Sequence, residues 1–252
     1  MKVIVLSSGP SRAFKEAGYS YPKNLVEIAG KPLVQRVMDA LRPLKADGAQ
    51  FICVIPREEN RQFHTGKVIK LVDPAATLVE APGETSGAAC SALLAADHLD
   101  APEPLVVVNG DQIIAGADPA AIVRGFRAAG WDAGAVVFED VHPRWSFVKC
   151  DAQGRVVEAA EKRPISKFAT AGFYYFARAG DFVAAAMRSI VKDAHVNGAF
   201  YICPVLNELI LEQARVGIHA IGRACYHSLA SPADVQAYAA KARGDAPEGA
   251  LP

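Results

Sequence analysis

A short apolar run that ends in a polar turn is the feature that most restricts how this chain can fold. Leu105–Val108 is apolar throughout, which is typical of a strand buried on both faces of a sheet. Asn109, Gly110 and Asp111 follow at once. An open α/β sheet binds ligands beyond the carboxyl ends of its strands, and a carboxylate there suits a hard cation such as Mg²⁺. An ordinary Asn-Gly-Asp turn explains the same residues equally well.

Apolar runs and helical patterns alternate through the first half of the chain, and hairpin strands appear in the second half. The predicted strands are Lys2–Leu6, Leu25–Ile28, Phe51–Ile55, Thr77–Glu80, Leu105–Val108, Ala133–Phe138, Ser146–Cys150, Arg155–Ala160, Phe168–Phe176 and Ile218–Ile221. The predicted helices start at Pro32, Arg57, near Ser86, after Asp118, at Gly180, near Pro204 and at Pro232. This order predicts one α/β domain over residues 1–243, with a mostly parallel, mixed central sheet flanked by helices. Residues 244–252 are predicted to be a frayed, flexible tail.

Composition narrows the classes of function. The 252 residues carry 27 basic and 27 acidic side chains, so no broad field predicts a nucleic-acid or anionic-membrane partner. The first apolar run, Val3–Leu6, is too short for a signal peptide, and no run is long enough to span a bilayer. Five scattered cysteines without Cys-x-x-Cys spacing predict reduced thiols rather than disulfides or a zinc site. We therefore expect a cytoplasmic protein.

The loop SSGPSR after the first strand is a candidate phosphate site. Its backbone N–H groups would lie at the carboxyl edge of the sheet, where they can bind an anion. The loop has neither a GxGxxG fingerprint nor the Gly-Lys-Ser/Thr ending of a P-loop. Taken alone, the pattern is also that of a simple connection.

Three further positions have a functional and a purely structural interpretation. Lys23 follows Pro22 on a loop near the end of the first strand, where most lysines are simply exposed. Small residues from Ser86 onward let a flat ring or a phosphate approach a helix start, but they equally favour close packing on the sheet. Gly172 lies inside a predicted strand, which indicates a bulge or the close approach of a ligand.

With these residues in view, the chain resembles the nucleotidyltransferases that join a nucleoside triphosphate to a phosphorylated small molecule. The resemblance covers nearly the whole chain and rests on the order of six pieces: VIVLSSG…F, YPKNLVEIAGKPLVQRV, VVVNGDQ, EKRPIS, TAGFYYF and VNGAFYICPVLNELI. It is strongest with small bacterial members associated with capsule and surface-glycan genes. The resemblance implies a glycosyltransferase A-type α/β fold, as in nucleotide-diphospho-sugar transferases.

The resemblance also implies roles for single residues. The Ser7–Arg12 loop would cradle the triphosphate, Lys23 would neutralise it, and Asp111 would hold Mg²⁺ as the cofactor. The implied catalytic residues are Lys23 and Arg12; the implied nucleotide-binding residues are Ser7, Ser8, Gly9, Ser11, Ser86, Gly87, Ala88 and Gly110; the implied acceptor-binding residues are Glu161, Lys162 and Gly172; the implied metal ligand is Asp111.

Three segments depart from the family pattern. The family loop reads Gly-x-Gly-x-Arg, whereas here Ser11 takes the place of the second glycine and Ala13 that of the arginine. A late Trp-x-Asp-x-Gly pattern that often supplies a second metal carboxylate corresponds to Tyr226–Ala230, which has no carboxylate. Cys203 and Pro204 stand where many relatives have Thr-Asp.

The function expected from the resemblance is transfer of a nucleoside monophosphate from an NTP, with CTP or UTP favoured, to a phosphorylated acceptor such as a sugar 1-phosphate. Pyrophosphate would leave, and polysaccharide biosynthesis would use the product. The departures leave open a catalytically weak nucleotide-binding or regulatory relative. A glycosyltransferase using a sugar nucleotide is the third hypothesis, although such enzymes usually carry Asp-x-Asp where residues 109–111 have one carboxylate.

The sequence does not determine whether the protein forms a homo-oligomer. His142, Trp145 and Tyr201 either shape the acceptor pocket or are ordinary packing residues.

Overall fold

The structure is a computed structural model that describes residues 1–244. Apart from Gly244, the tail predicted at 244–252 lies outside the described residues. The strands are β1 (Lys2–Leu6), β2 (Glu27–Ile28), β3 (Lys31–Pro32), β4 (Gln50–Pro56), β5 (Thr77–Ala81), β6 (Leu105–Asn109), β7 (Gln112–Ile114), β8 (Ala133–Glu139), β9 (Ser146–Cys150), β10 (Val156–Glu161), β11 (Phe168–Phe176), β12 (Val216–Ala220) and β13 (Tyr226–Ser228). The α-helices are α1 (Arg12–Glu16), α2 (Leu33–Leu41), α3 (Arg57–Phe63), α4 (Thr65–Val72), α5 (Ala88–Leu93), α6 (Pro119–Ala128), α7 (Ala179–Val191), α8 (Ile202–Leu211) and α9 (Pro232–Gly244). Short 3₁₀ helices cover Lys23–Leu25, Arg42–Asp47, Ala96–His98 and Arg223–Cys225.

A nine-stranded mixed sheet forms the centre of the molecule. Its main path runs β10-β9-β11-β6-β1-β4-β5, with β8 beside β11 and β12 beside β8. Strands β6, β1, β4 and β5 are parallel, whereas β11 runs antiparallel to β6. This confirms the predicted α/β fold with a mostly parallel sheet and an antiparallel addition.

Strands β1 and β6 are apolar along their length because helices cover both faces of the sheet. Val3 and Val106 belong to a core cluster that includes residues of α2 and α6. Ile4 and Val107 point the other way and belong to a cluster with residues of α5, α7 and α8. A strand buried on both faces reads as a continuous apolar run, which is why the sequence located both strands correctly.

Several elements differ from the sequence prediction. The predicted strand Leu25–Ile28 begins as a 3₁₀ turn, so only its last two residues belong to a strand. The helix predicted near Ser86 begins at Ala88, because the backbone of Gly87 has a φ of 111°. Helices α1 and α4 were not predicted. Strands β7 and β13 were also missed, because they pair only with each other across more than 100 residues of chain.

The ends of β1 and β6 bring the predicted site together. The two strands pair with Leu6 opposite Asn109, and the N–H of Gly110 donates to the Leu6 carbonyl at 2.8 Å. A Cβ on Gly110 would lie 2.7 Å from that carbonyl oxygen and would clash with the Ser7 hydroxyl. The glycine therefore permits Asp111 to lie next to the loop that follows β1. Among residues 1–244, no helix combines the length and apolarity that crossing a bilayer requires.

Candidate active site

A cleft of about 510 Å³ opens at the carboxyl edge of the parallel strands. Loops after β1, β5 and β6 form one side of it, and β9, β10, β11, the start of α8 and β13 form the other. The lining residues that carry polar or charged side chains are Ser8, Glu84, Thr85, Ser91, Asn109, Asp111, Arg144, Ser146, Glu161, Thr170, Tyr174, Tyr201, Tyr226 and Ser228. Ligands of open α/β sheets bind at this edge.

An ion pair between a buried lysine and a partly exposed aspartate lies at the base of the cleft. The Nζ atom of Lys23 is 2.7 Å from Oδ2 of Asp111, and the lysine side chain is only 5% exposed. Lys23 starts the 3₁₀ turn before β2, whereas Asp111 follows β6. A Cβ on Gly9 would be 3.0 Å from the Lys23 ammonium, so the loop after β1 also contacts this pair. The structure thus joins three separate predicted pieces of the site.

A buried carboxylate, Glu59 of α3, holds the lysine turn and the loop after β1 together. Its carboxylate accepts hydrogen bonds from Asn24 at 2.8 Å, Thr65 at 3.0 Å and Ser11 at 3.4 Å. Ser11 Oγ in turn accepts from the Lys23 backbone N–H at 3.0 Å. Burial raises the pKa of Glu59, and these hydrogen bonds oppose the rise. Sequence reasoning missed this residue, because nothing in a polar helix marks one carboxylate as buried.

The predicted triphosphate loop is only partly in the cleft. Ser8 and Gly9 line it, whereas Ser7 and Ser11 are not among its lining residues. Arg12 begins α1, its side chain is 85% exposed, and its Nε pairs with Glu16 at 2.7 Å. The structure therefore does not bring Arg12 to the other predicted residues.

The segment before α5 lines the same side of the cleft. Gly87 and Ala88 face it, while Ser86 lies behind, where its carbonyl accepts from the Phe200 N–H at 2.8 Å. A Cβ on Gly87 would clash with the Phe200 backbone, so only glycine allows this approach. Ser91 accepts a hydrogen bond from Ser8 at 3.0 Å and links the two loops. Gly110, predicted near the nucleoside, instead packs against β1 and is not a lining residue.

Glu161 and Gly172 lie on the opposite side of the cleft. The Glu161 carboxylate accepts a hydrogen bond from Ser146, and burial raises the pKa of Glu161. Gly172 has a φ of 58°, and a Cβ there would clash with the side chains of Asn109 and Gln112. The pairing of β11 with β8 shifts register between Thr170 and Tyr174, which agrees with a bulge, one of the two alternatives predicted for Gly172.

Lys162 and Tyr201 form a polar pair beside the cleft. Lys162 Nζ donates to the Tyr201 hydroxyl at 2.8 Å, and this hydrogen bond raises the pKa of the lysine. Tyr201 and Trp145 line the cleft, whereas Lys162 and His142 do not. Arg144, which sequence reasoning passed over, is a lining residue next to Trp145.

The late segment Tyr226–Ala230 lies beside Asp111. The N–H of Leu229 donates to the Asp111 carbonyl at 2.8 Å, and Ser228 and Ala230 line the cleft. Ser228 Oγ donates to the Asp234 carboxylate at 3.0 Å, so a hydroxyl separates that carboxylate from the cleft. No group of three or more Asp, Glu, His or Cys side chains with metal-site geometry occurs within residues 1–244. The oxygen donors present fit Mg²⁺, which needs only one or two protein carboxylates when substrate phosphates complete its shell.

Comparison with known proteins identifies a family that this chain matches. The family model described as MobA-like NTP transferase domain matches residues 3–204. No curated protein matches the chain.

Solved structures share the fold over their full length. A nucleoside-diphosphate-sugar pyrophosphorylase from Vibrio cholerae has a TM-score of 0.82 at 24% identity, over 95% of this chain and all of that one. An inositol-1-phosphate CTP transferase from T. maritima has a TM-score of 0.72 at 18% identity, over 100% and 98% of the two chains. A UDP-glucose pyrophosphorylase solved with UDP-glucose has a TM-score of 0.77 at 14% identity, over 97% and 99%. At these identities the similarity concerns the fold.

Proposed function

We propose, because the chain belongs to the MobA-like NTP transferase domain family, that it transfers a nucleoside monophosphate from an NTP to a phosphorylated small molecule. CTP or UTP is the favoured donor, and a sugar 1-phosphate or a similar metabolite is the acceptor. Polysaccharide biosynthesis is the proposed use of the product, supported by the resemblance to surface-glycan-associated members.

The Lys23–Asp111 pair carries this proposal. It places an ammonium and a carboxylate 2.7 Å apart at the base of a cleft large enough for a nucleotide and an acceptor. In the reaction, an acceptor phosphate oxygen bonds to the α-phosphorus, and the bond from that phosphorus to the oxygen bridging to the β-phosphate breaks. Pyrophosphate leaves with that electron pair. Both reactants are anions, so catalysis consists mainly of positioning and charge neutralisation.

Mg²⁺ is part of the proposal, with Asp111 as its protein ligand. When bound, the ion neutralises phosphate charge and polarises the α-phosphate. The Lys23 ammonium, released from Asp111, would bind phosphate oxygens directly. Ser8, Gly9, Gly87 and Ala88 would contact the nucleotide, since they line the cleft on the Asp111 side.

The acceptor is proposed to occupy the side of the cleft formed by β9, β10 and β11. Glu161 presents a carboxylate there, which suits hydrogen bonding to hydroxyl groups of the acceptor. Gly172 also lines this side, where its missing side chain allows the Asn109 and Gln112 side chains to approach β11 closely. No general base is required, because the attacking phosphate is ionised near neutral pH.

The test is pyrophosphate release. The purified protein is incubated with Mg²⁺, each of CTP, UTP, dTTP, GTP and ATP, and a panel of sugar 1-phosphates and phosphorylated amino alcohols. We expect release with one donor–acceptor pair well above the donor alone, and loss of release when EDTA removes the metal.

The matched control for this assay is Asp39→Asn, which changes a partly exposed carboxylate that pairs with Lys31 and Arg42 away from the cleft. It should keep full activity, whereas Asp111→Asn should lose it. Absence of pyrophosphate with every donor across the panel would refute the proposal.

The position of Arg12 favours a second candidate, a catalytically weak nucleotide-binding relative. Its guanidinium pairs with Glu16 outside the cleft, and the family's arginine position is Ala13, which is exposed in α1. Under the leading proposal, Ala13→Arg should change turnover by no more than about twofold, as expected of a surface substitution. A gain of turnover far beyond this would support the weak relative. Ala17→Arg, in the next turn and also exposed, is the matched control.

A further inference from the structure

We propose that Arg144 is the residue that binds the phosphate group of the acceptor, with its guanidinium held in place on the Trp145 ring. This inference rests on the proposed nucleotidyl transfer and specifies how the cleft recognises its second substrate.

The charges that line the cleft lead to this assignment. Three lining residues, Glu84, Asp111 and Glu161, are acidic. Among the described residues that line the cleft, Arg144 is the only lysine or arginine. Lys23 lies below the surface, paired with Asp111. A site for two phosphorylated substrates needs a further cation that faces the cleft, and Arg144 supplies it.

The geometry of Arg144 fits phosphate binding. It lies in the loop between β8 and β9, and the central carbon of its guanidinium is 3.9 Å from the centre of the Trp145 ring. Trp145 is itself fixed edge-on against Phe138, at 5.5 Å, and Tyr226, at 5.3 Å. Stacking on an aromatic face leaves the N–H groups in the guanidinium plane free to bind two phosphate oxygens.

Arg223, a second arginine near the same aromatic rings, differs from Arg144 in its partners. Arg223 also lies over the Phe138 ring, but its Nε is 3.2 Å from the Asp140 carboxylate and its Nη1 donates to the Tyr226 carbonyl. The Arg223 guanidinium is therefore already held by an ion pair and a hydrogen bond within the protein. The Arg144 guanidinium has no carboxylate within 4.0 Å among residues 1–244.

Position favours the acceptor over the triphosphate as the source of the phosphate. Arg144 precedes Ser146, which hydrogen-bonds Glu161 on the side opposite the Ser8–Pro10 loop. Trp145, on which Arg144 stacks, packs edge-on against Tyr226 of β13, and Leu229, which follows β13, donates its N–H to the Asp111 carbonyl at 2.8 Å. Arg144 is thus linked through the Trp145 ring to the wall of the cleft that adjoins Asp111, which an acceptor phosphate must approach to reach an α-phosphate held there.

The test compares wild type, Arg144→Ala and Arg144→Lys in steady-state kinetics with the sugar 1-phosphate that gives the fastest pyrophosphate release. We expect Arg144→Ala to raise KM for that acceptor about 10- to 100-fold, the usual range for loss of a hydrogen-bonded charged partner. KM for the nucleotide should stay within about twofold. Arg144→Lys should fall between the two, because lysine keeps the charge but not the two-pronged contact.

Arg163→Ala is the matched control, because that exposed arginine pairs with Glu158 at 2.8 Å and does not line the cleft. It should leave both KM values unchanged. If Arg144→Ala raises KM for the nucleotide instead, or raises neither, the assignment is wrong even though the enzyme is active.

A binding measurement separates this inference from the proposed activity. Inorganic phosphate should raise the Tm of the wild type and of Arg163→Ala clearly more than that of Arg144→Ala, which keeps only the nucleotide phosphate site. This result would support an anion site at Arg144 even if no donor–acceptor pair released pyrophosphate. An equal phosphate-induced shift in all three proteins would overturn the inference.

Discussion

Lys23→Met is expected to lower kcat/KM for nucleotidyl transfer about 10²- to 10³-fold, the usual loss when one fixed electrostatic partner of a transition state is removed. Methionine keeps the buried stem of the lysine but removes the ammonium that lies 2.7 Å from Asp111. In the proposed reaction, that ammonium neutralises phosphate charge, so the loss should appear mainly in kcat. Pyrophosphate release measured over a range of nucleotide concentrations checks the prediction.

Lys23→Arg should not restore the activity. The Nζ atom already lies 3.0 Å from where a Cβ on Gly9 would be, so a larger guanidinium has no space without displacing the loop after β1. Lys31→Met is the control, because Lys31 is half exposed and pairs with Asp39 on the surface. Activity of Lys23→Met within about tenfold of wild type would show that the buried pair serves packing rather than chemistry.

Gly110→Ala is expected to lower the free energy of unfolding by about 1–3 kcal/mol, the usual cost of overpacking a core position. The new methyl group would clash with the Ser7 hydroxyl and lie 2.7 Å from the Leu6 carbonyl oxygen. Because β1 cannot shift without breaking its pairing with β4, the strain should displace Asp111 instead. A displacement of about 1 Å can cost about 100-fold in rate, so activity should fall as well.

Denaturant unfolding and pyrophosphate release measure these two effects on the same variant. Gly125→Ala is the control, since Gly125 is exposed inside α6 and a Cβ there would have nothing within 4 Å. That change should stabilise the protein by about 0.5–1 kcal/mol, because alanine favours a helix more than glycine does. Unchanged stability and activity in Gly110→Ala would mean that the two strand ends separate more easily than their spacing indicates.

Short sequence patterns correctly predicted several elements of the fold. The apolar runs located β1 and β6, and the Asp118-Pro119 pair correctly predicted the start of α6, where Asp118 accepts from the Ala120 N–H at 2.9 Å. The resemblance to nucleotidyltransferases is confirmed at the level of the family by the model that matches residues 3–204. These signals succeed because a strand buried on both faces appears as a continuous apolar run, and a helix cap appears as a short polar pattern, so that both are recognisable in consecutive residues.

Other features could not be read from the sequence because they depend on distant residues. Asp111 lacked a carboxylate partner in the sequence, and the fold instead gives it Lys23, 88 positions away, and the Leu229 N–H. Neither Glu59 nor Arg144 lies in a sequence motif that predicts its position in the site. Both owe their role to surroundings that form only when the chain has folded.

The sequence by itself determined the α/β architecture, the family and the position of Asp111 at the end of a buried strand. Only the tertiary structure decided which side chains face the cleft: it turns Arg12 outward, buries Lys23 against Asp111 and stacks Arg144 on Trp145. The physical reason is that a buried strand has a recognisable pattern of consecutive apolar residues. The orientation of a loop side chain depends instead on charged and aromatic side chains that other segments of the chain bring close to it.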